Sequence, residues 1–442
     1  MECRWKEKPL AEVVDLVIDH RGKTPKKLNG DWAETGYRVL SAKNIKTGHI
    51  VQTDAIRYVD RDLYQKWMPD EVRRGDVFVT SEAPFGQIYY WDSDECIVLG
   101  QRLFGLRLNR TACDPKYAYY WMCGALFQSE LRGRATGTTV VGLRQPELLK
   151  CTIRLPSMAT QKAIANMLGA IDDKIALNYR INDHLLEMAL SEYKELSRQS
   201  SSKRTLQDCT SLLCRGGAPK YCEKGKFRAL NQRCIRNHKI DDANARRIEN
   251  PKSSEKLLRY GDILICSTGT GTLGRSAQVL CHDERVTVDS HVTIVRPAYE
   301  ALVEYLGCWA LSSEDQFESM AKGSTGQTEL PRTELAELEI GFPDTASLDD
   351  FSGKTKPLFE AIQSNVRENQ SLECLRDALL SKLMSGEIDV SRIGLRQLNG
   401  HLAKLVREAR AQDSTITATT VGTIHHGSQC AENKQYRRLH TR

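Results

Sequence analysis

The sequence predicts an α+β protein in which two homologous mixed α/β domains are separated by two long helices, packed as an antiparallel coiled coil with pseudo-two-fold symmetry. Three observations predict it. The stretch Gln161 to Leu196 carries Ile164, Leu168, Ile171, Ile175, Asn178, Asn182, Leu185 and Met188 at spacings of mostly four and three, which is a coiled-coil seam. The same register returns 187 residues later in Phe351, Thr355, Leu358, Ile362, Asn365, Asn369, Leu372 and Leu375, both asparagines included. The segments that precede the two helices also repeat one another.

In chain order, residues 1–157 form the first domain, with short apolar runs broken by turn residues (YRVLSAKNI, GDVFVTSE, QIYYW, CIVLGQRLFGLRL) and then the helical YAYYWMCGALFQSELRG. Residues 158–203 hold the first long helix and a short polar linker, Ser200 to Lys203. At about 1.5 Å per residue the helix reaches about 54 Å. Residues 204–345 repeat the order of the first domain with FRALNQRCI, GDILICST, SAQVLC and VTVDSHVTIVRP, then the helical ALVEYLGCWALSSEDQFESMAKG. The second helix lies in 346–390. Pro357, with Gly353 before it, predicts that this helix starts at or kinks near Pro357 and is the shorter of the two. Residues 391–442 are a basic tail without a core pattern, for which disorder is expected.

The landmarks of the repeat align closely. Arg21-Gly22-x-x-Pro25 returns as Arg215-Gly216-x-x-Pro219, and Leu40, Lys43, Ile45 and Ile50 return as Leu230, Arg233, Ile235 and Ile240. Gly75-Asp76 becomes Gly261-Asp262, and Leu143, Leu148, Ile153 and Pro156 become Leu330, Leu335, Ile340 and Pro343. Offsets of 194, 190, 186 and 187 differ only by small loop changes, too long a period for a solenoid and suited to a duplicated domain. Long helices rarely stand alone in water, so pairing within the chain is favoured over recruiting a helix from another subunit. Asn178, Asn182, Asn365 and Asn369 are the residues expected to set the register, because seam amides satisfy one another and are orphaned by a slip.

The 442 residues are enough for two to four domains. Lys and Arg number 63 against 57 Asp and Glu, a net charge of +6 that leans toward nucleic acid. No run approaches the roughly 20 apolar residues of a membrane span, and the first residues lack a signal-length apolar core, so a soluble, cytoplasmic protein without a membrane partner is expected. The 14 cysteines are scattered without a Cys-x-x-Cys pair, which favours reduced thiols over disulfides or zinc.

Catalytic readings fare poorly. Gly269 to Ser276 nearly spells a phosphate-binding loop, but Arg275 stands where lysine is needed and a strand-like segment follows, so a turn between strands is favoured. Asp70 and Asp344 lack the acid-x-Lys strand of metal-dependent nucleases, no methyltransferase cofactor turn is present, and His20, His184, His238 and His291 lack metal or triad spacing.

Binding remains. Polar and basic loops recur at matching places: Arg21, Lys23, Lys26 and Lys27 against Arg215 and Lys220, then Lys43, Asn44 and Lys46 against Asn231, Gln232, Arg233 and Arg236. Lys and Arg neutralise phosphates, while Asn, Gln and Arg can read base edges in a duplex. A third pair of loops sets Thr136-Gly137-Thr138-Thr139 against Thr325-Gly326-Gln327-Thr328, where small residues around glycine let backbone approach a phosphate. Thr138, Thr139, Gln327 and Thr328 complete the candidate DNA-binding set. An ordinary solvated rim, or for the third pair a plain turn, is the competing reading.

Taken together, these residues resemble the specificity (S) subunits of type I restriction-modification systems. The resemblance rests on Gln161, Ile164, Ala165, Leu168, Ile171-Asp172-Asp173-Lys174-Ile175 and Asn178, and on Leu379 to Ile388. Gly75-Asp76-Val77, Ser81-Glu82-Ala83-Pro84 with Gly86, Gly100-Gln101-Arg102-Leu103 and Gly261-Asp262-Ile263-Leu264 add to it. It covers about residues 10 to 390, and the tail matches nothing in the family. It implies two target-recognition domains that each read half of a bipartite double-stranded DNA site, with the family's two conserved helices as a ruler and a dock for methylation (M) subunits, two of them, and restriction (R) subunits joining through the complex. It also implies no catalytic residue, metal or cofactor on this chain, with S-adenosylmethionine, ATP and Mg on the partners. A coiled-coil interaction scaffold without DNA reading and a nucleotide hydrolase using Gly269 to Ser276 are the alternatives.

Overall fold

A computed structural model describes residues 5–137, 141–200, 202–281, 284–323, 328–388 and 390. The expected disorder of 391–442, and Thr138, Thr139 and Gln327, lie outside the described residues. The chain forms two compact units, Met1–Lys174 with Ser371–Arg442, and Ile175–Gln370. Each unit holds one α/β repeat and a segment of both long helices.

In the first unit, Leu103–Leu108 lies between Val14–Asp19 and Val77–Thr80, and Ile88–Tyr90 flanks the latter, all antiparallel. A second sheet sets Tyr37–Leu40 between antiparallel Arg57–Val59 and parallel Val98–Leu99. The runs that form these strands are rich in β-branched and aromatic residues. Both faces of Val77–Thr80 are buried, and Phe78 packs on Trp91 at 5.7 Å between ring centroids. Helices Pro115–Cys123 and Ala125–Gly133 follow the sheet, the first capped by Asp114, whose carboxylate accepts from the Tyr117 N–H at 2.9 Å.

The second unit repeats this order strand for strand. Thr210–Arg215, Val292–Pro297, Ile263–Cys266 and Ser276–Gln278 form the four-stranded sheet, and Arg246–Ile248, Phe227–Leu230 and Val286–Val288 the three-stranded one. The Gly-Asp landmark has one structural job in both. Gly75 and Gly261 take φ of +96° and +84°, a region closed to most side chains, and turn the chain into the central strand. The following aspartate then grips an arginine two-pronged: Asp76 with Arg107 at 3.0 and 2.8 Å, Asp262 with Arg296 at 2.7 and 2.8 Å. Each aspartate also accepts the backbone N–H three residues back, from Arg73 or Arg259, at 2.8 Å.

The long helices are Met158–Gln199 and Thr345–Ser385, of 42 and 41 residues. The second therefore starts well before Pro357 and is shorter by a single residue. Proline removes one N–H and crowds the carbonyl four residues back, but here that residue is Gly353, with open space where a Cβ would lie, and both positions are exposed to water. The helices run antiparallel. In the first unit Arg376 meets Asp172 at 3.1 Å, and in the second Asn178 Nδ2 donates to Asn369 Oδ1 and Asn365 Nδ2 to Asn182 Oδ1, each at 2.8 Å. Asn178 also donates to the Glu368 carboxylate at 2.8 Å. Two seam expectations need correction. Met188 is 56 % exposed, and Ala189 and Tyr193 are buried instead; Phe359 is buried deeper than Leu358. The 3.6-residue turn lets a straight stripe drift by one position where the helices reach the domain core.

Among the described residues the cysteines are free thiols, and no helix is long and apolar enough to cross a membrane.

Truncating one seam amide leaves its buried partner short of a hydrogen bond. Asn369→Ala is expected to lower the unfolding free energy by about 1–3 kcal/mol, and Asn178→Leu with Asn369→Leu to recover part of that loss. Denaturant unfolding of the two variants checks this.

Candidate nucleic-acid interface

In each unit three loops meet at the end of the central strand. In the first unit the Leu143 N–H donates to the Ser81 carbonyl at 3.0 Å, and the Leu143 carbonyl accepts from Arg21 Nη1 at 3.1 Å. In the second the Leu330 N–H donates to the Ser267 carbonyl at 2.8 Å, and the Leu330 carbonyl accepts from Arg215 Nη2 at 2.7 Å. The serine thus ties the loop that follows the strand to the loop that follows the domain's helices, and the leucine carbonyl ties the latter to the Arg-Gly loop. Gly216 is needed for this closure, since a Cβ there would fall 2.1 Å from the Asp289 carbonyl oxygen.

This geometry sorts the candidate residues. Arg21 and Arg215 are structural as well as cationic. Arg21 pairs with Asp19 at 2.8 Å and lies over the Phe104 ring, while Arg215 meets Glu329 at 3.1 Å. Lys23 donates to the Trp67 carbonyl at 2.7 Å, and burial lowers its pKa. Lys26, Lys43, Lys46, Lys220 and Arg233 are exposed, and Gln232, Arg236 and Thr328 are half-buried.

Asn44 is a correction. It is fully buried, accepts from the Ser41 N–H and hydroxyl at 3.1 and 2.9 Å, and donates to the Val51 and Gln52 carbonyls. It pins the turn on which Lys43 stands and is withdrawn from any duplex. Asn231 does the same work in the second unit, accepting from the Arg233 N–H and donating to the Asn244 carbonyl, each at 2.8 Å.

Sequence reasoning missed the tip of each site. The Ser81 N–H donates to the Arg102 carbonyl and the Ser267 N–H to the His291 carbonyl, so Arg102 and His291 are structural equivalents at an offset of 189. Their side chains differ. Arg102, at φ +65°, pairs with Glu82 at 2.8 Å, whereas His291 Nδ1 is 2.6 Å from the Thr268 hydroxyl. His291 therefore belongs to the candidate site rather than to the bland surface, and its matched spacing to Arg296, the same five residues that separate Arg102 from Arg107, was the signal that could have found it. The glycine-rich stretch Gly269 to Gly274 is a turn between strands Ile263–Cys266 and Ser276–Gln278, with no helix to receive a phosphate. Among the described residues no cluster of His, Cys, Asp and Glu suits a metal.

Residues 3–187 match the family model described as "Type I restriction modification DNA specificity domain". The first repeat, with part of the first long helix, therefore carries this specificity domain, and the chain is similar over a greater length to type I restriction enzyme specificity subunits. It is 27 % identical over 186 residues to the MjaVIII specificity subunit of Methanocaldococcus jannaschii, covering 41 % of this chain and 42 % of that protein. It is 23 % identical over 349 residues to the MjaIX specificity subunit of the same organism, covering 72 % of this chain and 79 % of that one. A crystal structure of the S subunit from M. genitalium is similar at 18 % identity and a TM-score of 0.46, over 86 % of this chain and 96 % of that one.

Next to Arg21, His20 is buried with no hydrogen-bond partner on Nε2 among the described residues. Burial, and then the Lys23 charge, hold its imidazole below the ordinary 6.5, against the opposing pull of Asp19 and Asp70. The unfolded chain accepts a proton that the folded chain resists, so this contribution to stability is present above pH 6.5 and is lost as pH falls below it. His20→Gln should flatten that part of the stability profile, as urea midpoints between pH 5 and pH 8 will show. Arg21→Ala should lower the unfolding free energy by about 1–3 kcal/mol, because the Leu143 carbonyl and the loop closure lose their donor. Lys43→Ala, on an exposed turn, should stay within about 0.5 kcal/mol of wild type in the same assay.

Proposed function

We propose that the chain is the non-catalytic subunit that reads a bipartite duplex DNA target, one half-site for each α/β repeat. The observation that carries this reading is the duplicated site. The same backbone junction in both units presents basic loops around tips whose side chains differ, Arg102 with Glu82 in one and His291 with Thr268 in the other. A shared frame with unlike tips suits two half-sites of unlike sequence, since phosphate contacts position a protein and base-edge contacts specify. On this reading the long helices set the gap between half-sites. S-adenosylmethionine, ATP and Mg serve the methylation and restriction subunits.

The helices also offer a dock for methylation subunits, two per chain in the proposed assembly. Leu177, Ile181 and Met188 stand 44 %, 38 % and 56 % exposed along the first helix, an apolar stripe outside the asparagine seam. The nucleotide-hydrolase alternative is disfavoured by the strand-to-strand turn at Gly269, and a scaffold without DNA reading leaves the matched basic loops unused.

Exchanging residues 204–345 for the corresponding segment of another specificity subunit should change one half of the methylated motif and leave the other intact. Modification mapping in cells carrying the partner subunits reads this directly, and a motif altered in both halves refutes the assignment of one half-site per repeat.

A further inference from the structure

Both repeats carry an exposed aromatic residue whose ring is covered by an arginine, and the two pairs fall at one offset. Trp32 and Tyr221 are 189 residues apart, as are Arg57 and Arg246. Trp32 is 40 % exposed and Tyr221 43 %, although a large ring on a free surface gains nothing from water. The Arg57 guanidinium lies 5.0 Å from the Trp32 ring centroid and that of Arg246 3.4 Å from the Tyr221 centroid. Both arginines are exposed, and neither has an ion-pair partner among the described residues.

The pairs sit beside the loops already described. Arg57 is opposite Val39, near the strand end that leads into the Lys43 turn, and Arg246 is opposite Ala229, near the strand end that leads into the Arg233 turn. Trp32 leans on Trp67 at 6.5 Å between centroids, and the Trp67 carbonyl is the one that holds Lys23. The charge of Arg246 also acts on buried Asp289, which accepts the His291 N–H at 2.9 Å.

We infer that the Trp32–Arg57 and Tyr221–Arg246 stacks are DNA-backbone clamps at the margin of each recognition site, the ring holding the guanidinium flat so that its N–H edge meets a phosphate. A stacked guanidinium loses less side-chain freedom on binding than a free one, and its planar fork suits phosphate oxygens. Such a contact gives affinity and register without reading bases. The inference rests on the proposed DNA-reading role and adds residues to it.

The test uses the full chain assembled with its modification subunits, a duplex carrying the mapped target and a duplex of scrambled sequence, with affinity measured by fluorescence anisotropy across a range of salt. Arg57→Ala and Arg246→Ala should each reduce the slope of log affinity against log salt by about 1, and the double variant by about 2, on both duplexes, with the methylated motif unchanged. Arg57→Lys should keep the slope, and Trp32→Leu should keep the slope while lowering affinity. Arg57→Gln replaces the alanine variant if that fails to fold. Unchanged slopes in the alanine variants overturn the inference, as does a loss confined to the target duplex with an altered motif, which would make these arginines base readers. A wild-type complex that binds neither duplex overturns the DNA-reading role itself and the clamps with it, an outcome distinct from wild-type binding with unchanged slopes.

Discussion

The antiparallel seam between Met158–Gln199 and Thr345–Ser385 is the constraint on which the rest depends. A helix of this length has no reason to persist in water unless an apolar stripe is covered, and each compact unit covers its stripe with a segment of the other helix. Leucine and isoleucine supply the attraction but tolerate a slip. The amides of Asn178 with Asn369 and of Asn365 with Asn182 do not, because moving by one turn leaves buried donors unpaired. Asp172 extends the same logic to the domain: its carboxylate takes Arg376 from the opposite helix and the Tyr120 hydroxyl from Pro115–Cys123, so the seam and the first repeat share a residue.

Duplication divides the molecule into what must stay and what is free to differ. The Gly-Asp turn, its arginine partner, the serine at the strand end and the Arg-Gly loop recur with the same hydrogen bonds because each one closes a long loop onto the sheet. Altering any of them exposes a buried charge or carbonyl. The Asp262–Arg296 pair, with the aspartate wholly buried, shows how heavily such a position is committed. At the tips no such commitment exists. Arg102 and His291 share a backbone role through their carbonyls, which leaves the side chains free to differ between the repeats.

Much of this was legible in the residues. The apolar runs mark the strands, the heptad spacing marks the helix pair, and the matched landmarks mark two copies of one fold; all of these are local or periodic signals. Even the cross-helix asparagines follow from register alone. The sites were legible only as regions. Asn44 reads as a base-contacting amide in a polar loop, yet it is turned inward because Ser41, Val51 and Gln52 surround it once the turn closes. Arg21 and Arg215 read as free cations, yet each is held by a carbonyl more than a hundred residues away.

By itself, then, the sequence determined the class of fold, the duplication and the pairing of the helices, because side-chain periodicity encodes which face must be buried. Only the tertiary structure decided which polar side chains hold the loops together and which stand clear of them. Loop closure is governed by hydrogen bonds between positions distant along the chain, and neither the direction of a side chain nor the carbonyl awaiting it is written in its neighbours. The same reason explains Pro357: a proline reads as a break in any helix, but Gly353 in front of it and open solvent around both let the helix continue.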